Sequence, residues 1–232
     1  MSATEVRTDV NFYQASKGLK SWIFTLDHKR IALLYLYTVM SFFLVGVVLG
    51  LLMRLELISP GKDLFEAHMY NQAFTLHGVI MIFLFIIPGV PAIFGNFFLP
   101  IMLGTDDVAF PKVNLLSWYL YILGGAIALL TLVVGDGPAD TGWTFYAPYS
   151  VKTGTNVSMA VFAAFILGFS SILTGLNFIV TIHRLRYPGM SMFKMPLFAW
   201  SLYATSWIQL LATPVVGITL MMIIVEMVLG VG

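Results

Sequence analysis

The sequence contains no cysteine and little charge, and each shortage narrows what the chain can be. Without cysteine it forms no disulfide and no thiolate metal site, and it cannot attach a c-type haem covalently. Charged residues make up 10% of the chain, against roughly a quarter of a soluble domain, while 59% of its 232 residues are hydrophobic. The net charge of +1 indicates no nucleic-acid partner. We therefore expect a membrane protein.

Long apolar runs account for most of the chain. A helix needs about 20 apolar residues to cross the hydrocarbon core of a membrane. Five runs are long enough, at about 31–53, 72–100, 113–135, 157–182 and 196–229. The sequence predicts an all-α fold in which a polytopic bundle of five transmembrane helices, residues 31–232, follows an inside segment and interfacial anchor, residues 1–30. Gly46 and Gly50 form a GxxxG pair, which permits close helix packing but carries no functional inference.

The placement of the cationic residues predicts the orientation of the helices. With the N-terminus inside, nine Lys and Arg residues fall on inside segments and three on outside segments, which satisfies the positive-inside rule. The inside set is Arg7, Lys17, Lys20, Lys29, Arg30, Lys112, Arg184, Arg186 and Lys194, and the outside set is Arg54, Lys62 and Lys152.

His77 is the only titratable side chain in the apolar run from 74 to 90. An ionisable group in hydrocarbon costs free energy unless it is paired, so it suggests a functional site. A neutral imidazole is the commonest metal ligand in proteins, and it can hold a haem iron axially. A core histidine that bonds to a carbonyl of a neighbouring helix is the competing interpretation. At this point the two interpretations are equally favoured.

If successive runs cross the membrane in opposite directions, four residues are expected near His77 on the outer side of the membrane: Arg54, Tyr70, Trp143 and Tyr146. An arginine with Trp and Tyr donors suits a ligand that has a flat apolar body and carboxylate arms, as haem does. For each residue taken alone, a snorkelling arginine or an aromatic belt is the commoner explanation.

A second set of polar residues lies toward the inner side of the membrane. It comprises Asp107 in an inside turn and the residues Asn96, Asn114, Ser170, Ser171 and Asn177 at the adjoining helix ends. A carboxylate at the mouth with amides and hydroxyls behind it suits a file of water for proton uptake. Polar side chains that hold helices together explain the same residues equally well.

Seven stretches of the chain together resemble subunit I of the haem-copper oxidases, of the cytochrome c oxidase type. They occur in the family's order and at its spacing, and they span nearly all of the chain. The stretches are Asp27-His-Lys-Arg-Ile31, Phe74-Thr-Leu-His-Gly-Val-Ile-Met81, Phe94-Gly-Asn96 with Pro100, Asp107-Val-Ala-Phe-Pro-Lys-Val-Asn114, Thr141-Gly-Trp-Thr-Phe-Tyr146, Ser170-Ser-Ile-Leu173 with Asn177-Phe178, and Pro196-Leu-Phe-Ala-Trp200.

The resemblance implies the first five of the twelve helices of that subunit, and a haem site at their outer half. His77 would be one axial ligand of the low-spin haem, expected to be haem a, and Arg54 would hydrogen-bond a ring substituent. Tyr70 and Trp143 match residues that contact the haem propionates, and Tyr146 belongs to the same outer motif.

The resemblance also implies a proton inlet and a cation site. Asp107 matches the mouth of the family's D pathway, whose wall would carry Asn96, Asn114, Ser170, Ser171 and Asn177. Glu56 and the backbone of Gly61 match an outer site for calcium or sodium.

The implied activity is that of a respiratory, proton-pumping oxidase, which passes electrons from cytochrome c to oxygen. Val45 and Leu49 stand where quinol-oxidising relatives carry Arg and Asp, so cytochrome c is favoured over quinol as the donor. Of the four histidines only His77 lies at membrane depth, so this chain alone is expected to be inactive. The ligands of the high-spin haem and of copper must come from another chain or from a missing C-terminal part.

A naturally split subunit is the favoured explanation, and a fragment of a longer chain is the next. Half of a quinol oxidase and a non-catalytic structural or assembly paralogue are also compatible with these features. The expected partners are the chain carrying the remaining helices, oxidase subunits II and III, cytochrome c and membrane lipid. The expected location is the bacterial inner membrane with a cytoplasmic N-terminus, or else the mitochondrial inner membrane.

Overall fold

The structure, a computed structural model, describes Tyr13 and residues 18–61 and 63–230. This part of the chain is helical and contains no β-strand. Five helices are long and apolar enough to cross a membrane: α1 (His28–Glu56), α2 (Ala67–Leu103), α3 (Pro111–Leu130), α4 (Val157–Arg184) and α5 (Leu197–Leu229). The predicted five-helix, all-α fold is confirmed. Residues 1–12 and 14–17 of the predicted anchor, with Arg7 and Lys17, and also Lys62, lie outside the described residues.

The observed helix ends lie within five residues of the predicted ends, and two of the differences have a clear local cause. α1 begins three residues early because Asp27 caps it, its Oδ1 accepting the Arg30 N–H at 2.9 Å. α3 ends at Leu130 rather than at 135. There the Thr131 hydroxyl bonds back to the Ala128 carbonyl, and the chain turns through Gly135 at a φ of 59°.

The second half of α2 is irregular, with π-helical stretches at Ile80–Ile86 and Gly89–Gly95. Pro88 has no N–H with which to bond the Leu84 carbonyl four residues earlier. The Tyr121 hydroxyl on α3 donates to that carbonyl at 2.7 Å. Because lipid offers no hydrogen bonds, a broken helix in a membrane needs such a partner from its neighbours.

The main hydrophobic core lies where α1, α2, α3 and α4 meet. Its fully buried members include Ile31 and Tyr35 of α1, Ile80 and Leu84 of α2, and Tyr121 of α3. α4 packs along both α3 and α5. Most side chains of α5 remain at least partly exposed. A groove of about 690 Å³ with mostly apolar walls opens between α4 and α5.

Candidate functional site

His77 lies partly buried on α2, against α1. Its Nδ1 atom is 2.8 Å from the carbonyl oxygen of Gly46. A carbonyl has no proton to give, so Nδ1 carries the hydrogen, and in the neutral ring Nε2 then holds a lone pair. This is how metal-binding histidines are oriented in proteins. The bond to the neighbouring helix and the capacity to bind a metal are therefore compatible, although the sequence alone presented them as competing interpretations.

The two glycines of the GxxxG pair set the distance between α1 and α2 at this point. A Cβ atom on Gly50 would lie 3.0 Å from Cε1 of His77, and one on Gly46 would lie 2.7 Å from Sδ of Met81. A larger residue at position 50 would meet the His77 ring, and one at position 46 would require the flexible Met81 side chain to move. The pair, which carried no functional weight in the sequence, lets the His77 ring lie directly on the α1 backbone.

Trp143 reaches the same region from the loop between α3 and α4. The loop is bonded to α2 where the Gly142 N–H donates to Oγ1 of Thr75 at 2.8 Å. A Cβ atom on Gly78 would lie 3.1 Å from Cδ1 of Trp143, so the indole packs on α2 at the residue next to His77 in sequence. Trp143 is still 41% exposed, which leaves surface for a ligand to contact.

The remaining predicted residues of the outer site are less closely gathered. Arg54 lies one turn beyond Gly50 on the same face of α1, and it is exposed, with no hydrogen bond or ion pair to the other described residues. Tyr70 lies two turns outward from His77 on α2 and is partly exposed. Tyr146 is 76% exposed, and its hydroxyl bonds to none of the residues that the structure describes.

Asp107 lies partly buried in the connection between α2 and α3, where its Oδ1 accepts the Val108 N–H at 2.6 Å. Burial raises the pKa of the Asp107 carboxyl above its usual range, although the Val108 N–H and the nearby His28 oppose the rise. A carboxyl with a raised pKa at the edge of the bundle is suited to exchange protons with water.

Two buried asparagines, Asn96 and Asn114, have side-chain polar atoms that none of the described residues satisfies. Nδ2 of Asn96 bonds to the Ala92 carbonyl at 2.8 Å, and His28, which is itself buried, contacts the Asn96 carbonyl oxygen through Nδ1 at 2.7 Å. Oδ1 of Asn96 and both amide atoms of Asn114 have no hydrogen-bond partner among the described residues. Buried polar atoms of this kind are where ordered water binds.

Three buried hydroxyl groups form a short hydrogen-bonded chain between α1, α3 and α4. The Tyr35 hydroxyl lies 2.9 Å from Oγ of Ser117 and 3.4 Å from Oγ of Ser170, and the Ser170 hydroxyl donates to the Ser117 carbonyl at 2.7 Å. The chain leads to a cavity of about 20 Å³, which Ser171 and Gln209 help to line and which is large enough for a water molecule.

Sequence reasoning missed Tyr35 and Ser117. A signal for each was available, because Tyr35 is a hydroxyl in an apolar run and Ser117 follows Asn114 by three residues, on the same helix face.

Asn177 has a different environment from the other two asparagines. Its Oδ1 accepts the Phe110 N–H at 2.8 Å, and its Nδ2 donates to the Phe110 carbonyl at 3.2 Å. One turn further, Oγ1 of Thr181 accepts the Ala109 N–H at 2.9 Å. Asn177 therefore fixes the segment that follows Asp107. Both the oxygen and the nitrogen of its side-chain amide are bonded to Phe110.

The Glu56 carboxylate holds the connection between α1 and α2. It accepts the N–H groups of Asp63, Leu64 and Phe65 at 3.3, 2.6 and 3.0 Å. Three such bonds to one carboxylate fix the backbone that leads into α2. Gly61 lies exposed in the same connection, and no group of three or more His, Cys, Asp or Glu side chains in the described ranges is placed to hold a metal ion.

Comparison with known proteins gives a consistent result. Residues 30–232 match the family described as cytochrome c and quinol oxidase polypeptide I. The chain is 41% identical over 225 residues to the putative cytochrome c oxidase subunit 1-beta of Streptomyces avermitilis, covering 96% of this chain and 39% of that protein.

Two further relatives have similar coverage. Against the putative subunit 1-beta of Streptomyces coelicolor the identity is 42% over 210 residues, or 89% of this chain and 36% of the relative. Against cytochrome c oxidase subunit 1 of Thermostichus vulcanus it is 38% over 218 residues, or 94% and 39%. The chain thus spans less than half the length of the relatives it matches.

Proposed function

The chain belongs to the family of cytochrome c and quinol oxidase polypeptide I, and we propose that it forms part of the catalytic subunit of a cytochrome c oxidase. In this proposal it supplies one ligand of the low-spin haem and the proton inlet, and it corresponds to the first five helices of the subunit. The observation that carries the proposal is the His77 ring, whose Nδ1 is bonded to the Gly46 carbonyl so that Nε2 is left for a metal.

The residues at the outer half of α1 and α2 fit one side of a haem. His77 would bind the iron through Nε2, and Arg54 would hydrogen-bond a ring substituent. Tyr70 and Trp143 would bond to the propionates, with Tyr146 in the same loop. Such a haem, of type a in this proposal, supplies reversible one-electron transfer. Gly46 fixes the tautomer of His77, and the close approach of the two helices excludes water from one side of its ring.

The polar residues at the inner side would carry protons from the inner surface of the membrane into the helix bundle. Asp107 takes up a proton at its carboxylate, and the free amide atoms of Asn96 and Asn114 hold water behind it. The hydroxyls that follow pass the proton onward to the cavity beside Ser171 by changing which neighbour each donates to. We assign Asn177 to this inlet as the residue that holds its mouth in place.

The remaining parts of the enzyme must come from outside the described residues. We propose that the high-spin haem, copper and their ligands belong to a polypeptide segment that carries the remaining helices and that packs partly in the apolar groove between α4 and α5. The other proposed partners are oxidase subunits II and III and cytochrome c, in a bacterial inner membrane with the N-terminus of this chain in the cytoplasm. A calcium or sodium ion at Glu56 and Gly61 is a further part of the proposal.

Purification of the complex from its native membranes tests this function. Mass spectrometry should find this chain together with the segment that bears the missing histidines. The same sample should show low-spin haem absorbance and oxygen consumption with reduced cytochrome c. A complex that contains this chain but no haem would contradict the proposal and would favour a non-catalytic paralogue.

A further inference from the structure

Asp140 is a buried carboxylate that the proposed haem site and proton inlet do not use. It lies in the outer loop between α3 and α4, three residues before Trp143, and its side chain is only 2% exposed. A charge that is removed from water costs free energy unless hydrogen bonds compensate for it. The placement of Asp140 therefore calls for an explanation in terms of its partners.

Three hydroxyl groups from the second half of the same loop donate to this carboxylate. The Tyr149 hydroxyl lies 2.6 Å from Oδ2, and the hydroxyls of Thr153 and Thr155 each lie 3.0 Å from Oδ1. Burial alone would raise the pKa of Asp140, but the bonds from Tyr149, Thr155 and Thr153 together outweigh it and hold the pKa below its usual range. The ionised carboxylate therefore links Asp140 to the later part of the same loop, from Tyr149 to Thr155.

The loop is also held along one face of α2. Nδ1 of His68 lies 3.4 Å from Oδ2 of Asp140, and Nε2 of Gln72 donates to the Asp136 carbonyl at 2.7 Å. Thr75 accepts the Gly142 N–H at the next position of the same face. Residues 68, 72 and 75 are spaced by four and three, so they line up along the helix and lead to the turn on which Trp143 packs.

We propose that Asp140 is a positioning residue, whose carboxylate holds the loop in the form that presses Trp143 onto α2 beside His77. The inference rests on the proposed function, in which Trp143 contacts the haem. A carboxylate is needed because it only accepts hydrogen bonds and has about four acceptor sites, enough for the three hydroxyls and the histidine. An asparagine has one acceptor oxygen, and its NH₂ group would face donors.

The test uses the assembled oxidase complex with Asp140→Asn and, as the matched control, Asp136→Asn. Asp136 lies four residues earlier in the same loop with an exposed side chain, and its bond to Gln72 uses only its backbone. For Asp140→Asn we expect a shifted absorption maximum and a shifted midpoint potential of the low-spin haem, with an unchanged haem-to-protein ratio. Asp136→Asn should leave all three quantities at their wild-type values.

A purely structural role for Asp140 predicts a different pattern. In that case Asp140→Asn lowers the yield or the melting temperature, but the protein that survives has the wild-type haem maximum and potential, and the inference is wrong. If Asp140→Asn fails to assemble, Tyr149→Phe and Thr153→Val each remove one donor and keep the carboxylate. Both should shift the haem properties in one common direction, and wild-type values in both would overturn the inference.

The two proposals can fail separately. Absence of haem from the wild-type complex, or an unchanged spectrum after loss of His77, would contradict the proposed function itself. Haem that is present and depends on His77 but is indifferent to Asp140, Tyr149 and Thr153 would overturn only the positioning role.

Discussion

A Cβ atom on Gly50 would lie 3.0 Å from Cε1 of His77, so the imidazole occupies the space that a side chain on α1 would otherwise take. The contact joins two sequence features that are 27 positions apart, a GxxxG pair and a lone intramembrane histidine. Each is a weak signal by itself. Together they describe a close-packed seat for the His77 ring, which in the proposed function binds the haem iron.

Gly50→Val should displace the His77 ring and reduce the amount of low-spin haem that the complex retains. Overpacking of this kind costs about 1–3 kcal/mol, and here most of the strain falls on the ring or on the separation of the two helices. Gly89→Ala is the control, because a Cβ atom there meets no other heavy atom within 4 Å. Haem content from the pyridine haemochrome spectrum is the measurement, and equal content in the two variants would argue against the seat.

Asp107→Asn should slow proton uptake by about tenfold or more, which corresponds to ~1.4 kcal/mol in the barrier, and should leave the haem in place. The neighbouring Asp106→Asn changes an exposed carboxylate and should have little effect. Stopped-flow measurement with a pH indicator during oxidation of the reduced enzyme distinguishes the two. Wild-type uptake in Asp107→Asn would remove this residue from the inlet.

The raised pKa of Asp107 gives the proposed inlet a pH dependence with a definite sign. The protonated form persists to a higher pH than in an ordinary aspartate, whose pKa is about 3.9, because burial disfavours the charge. The contribution of Asp107 to the free energy of unfolding is therefore most favourable at low pH, and it is lost as the pH rises through the folded-state pKa. In an infrared titration the carboxylic acid C=O band that Asp107→Asn removes should disappear at a higher pH than that of an ordinary aspartate, and disappearance at an ordinary aspartate pKa would contradict the prediction.

Asn114→Leu and Asn177→Leu make the same change in two different environments. The amide of Asn114 has no partner among the described residues, so its loss should slow proton uptake at little cost in stability. The amide of Asn177 holds the Phe110 backbone through two bonds, and its loss should cost about 1–2 kcal/mol of stability. Thermal unfolding should therefore separate the two variants, with a lowered melting temperature in Asn177→Leu and one close to the wild type in Asn114→Leu. Equal melting temperatures would show that the assignment is wrong.

Glu56→Gln should loosen the outer connection between α1 and α2. The carboxylate accepts three backbone N–H groups with its two oxygens, whereas a glutamine has one acceptor oxygen and presents an NH₂ group to the remaining donors. Hydrogen exchange at Leu64 and Phe65 should therefore be faster in the variant, and exchange at the wild-type rate would contradict the role of Glu56. If added calcium or sodium slows exchange in the wild type but not in Glu56→Gln, the proposed cation site is supported.

The sequence predicts the helices better than it predicts the contacts between them. The five spans follow from apolar composition, which is a local property of each run. The roles of Gly50, Tyr35 and Asp140 depend on which faces of distant helices and loops meet, and a single sequence does not contain that information. Asn177 shows the same limit, because its position in the sequence favours a water path and helix packing equally. In the structure both polar atoms of its side-chain amide bond to the backbone of Phe110.

The central claim is that His77 is a ligand of the low-spin haem, and the spectrum of the purified complex tests it most directly. His77→Ala is compared with His183→Ala, which removes an exposed histidine whose Nε2 bonds to the Tyr203 hydroxyl at the inner side. The reduced-minus-oxidised spectrum of His77→Ala should lack the low-spin haem band, while that of His183→Ala should keep it at wild-type intensity. A wild-type low-spin band in His77→Ala would contradict the account.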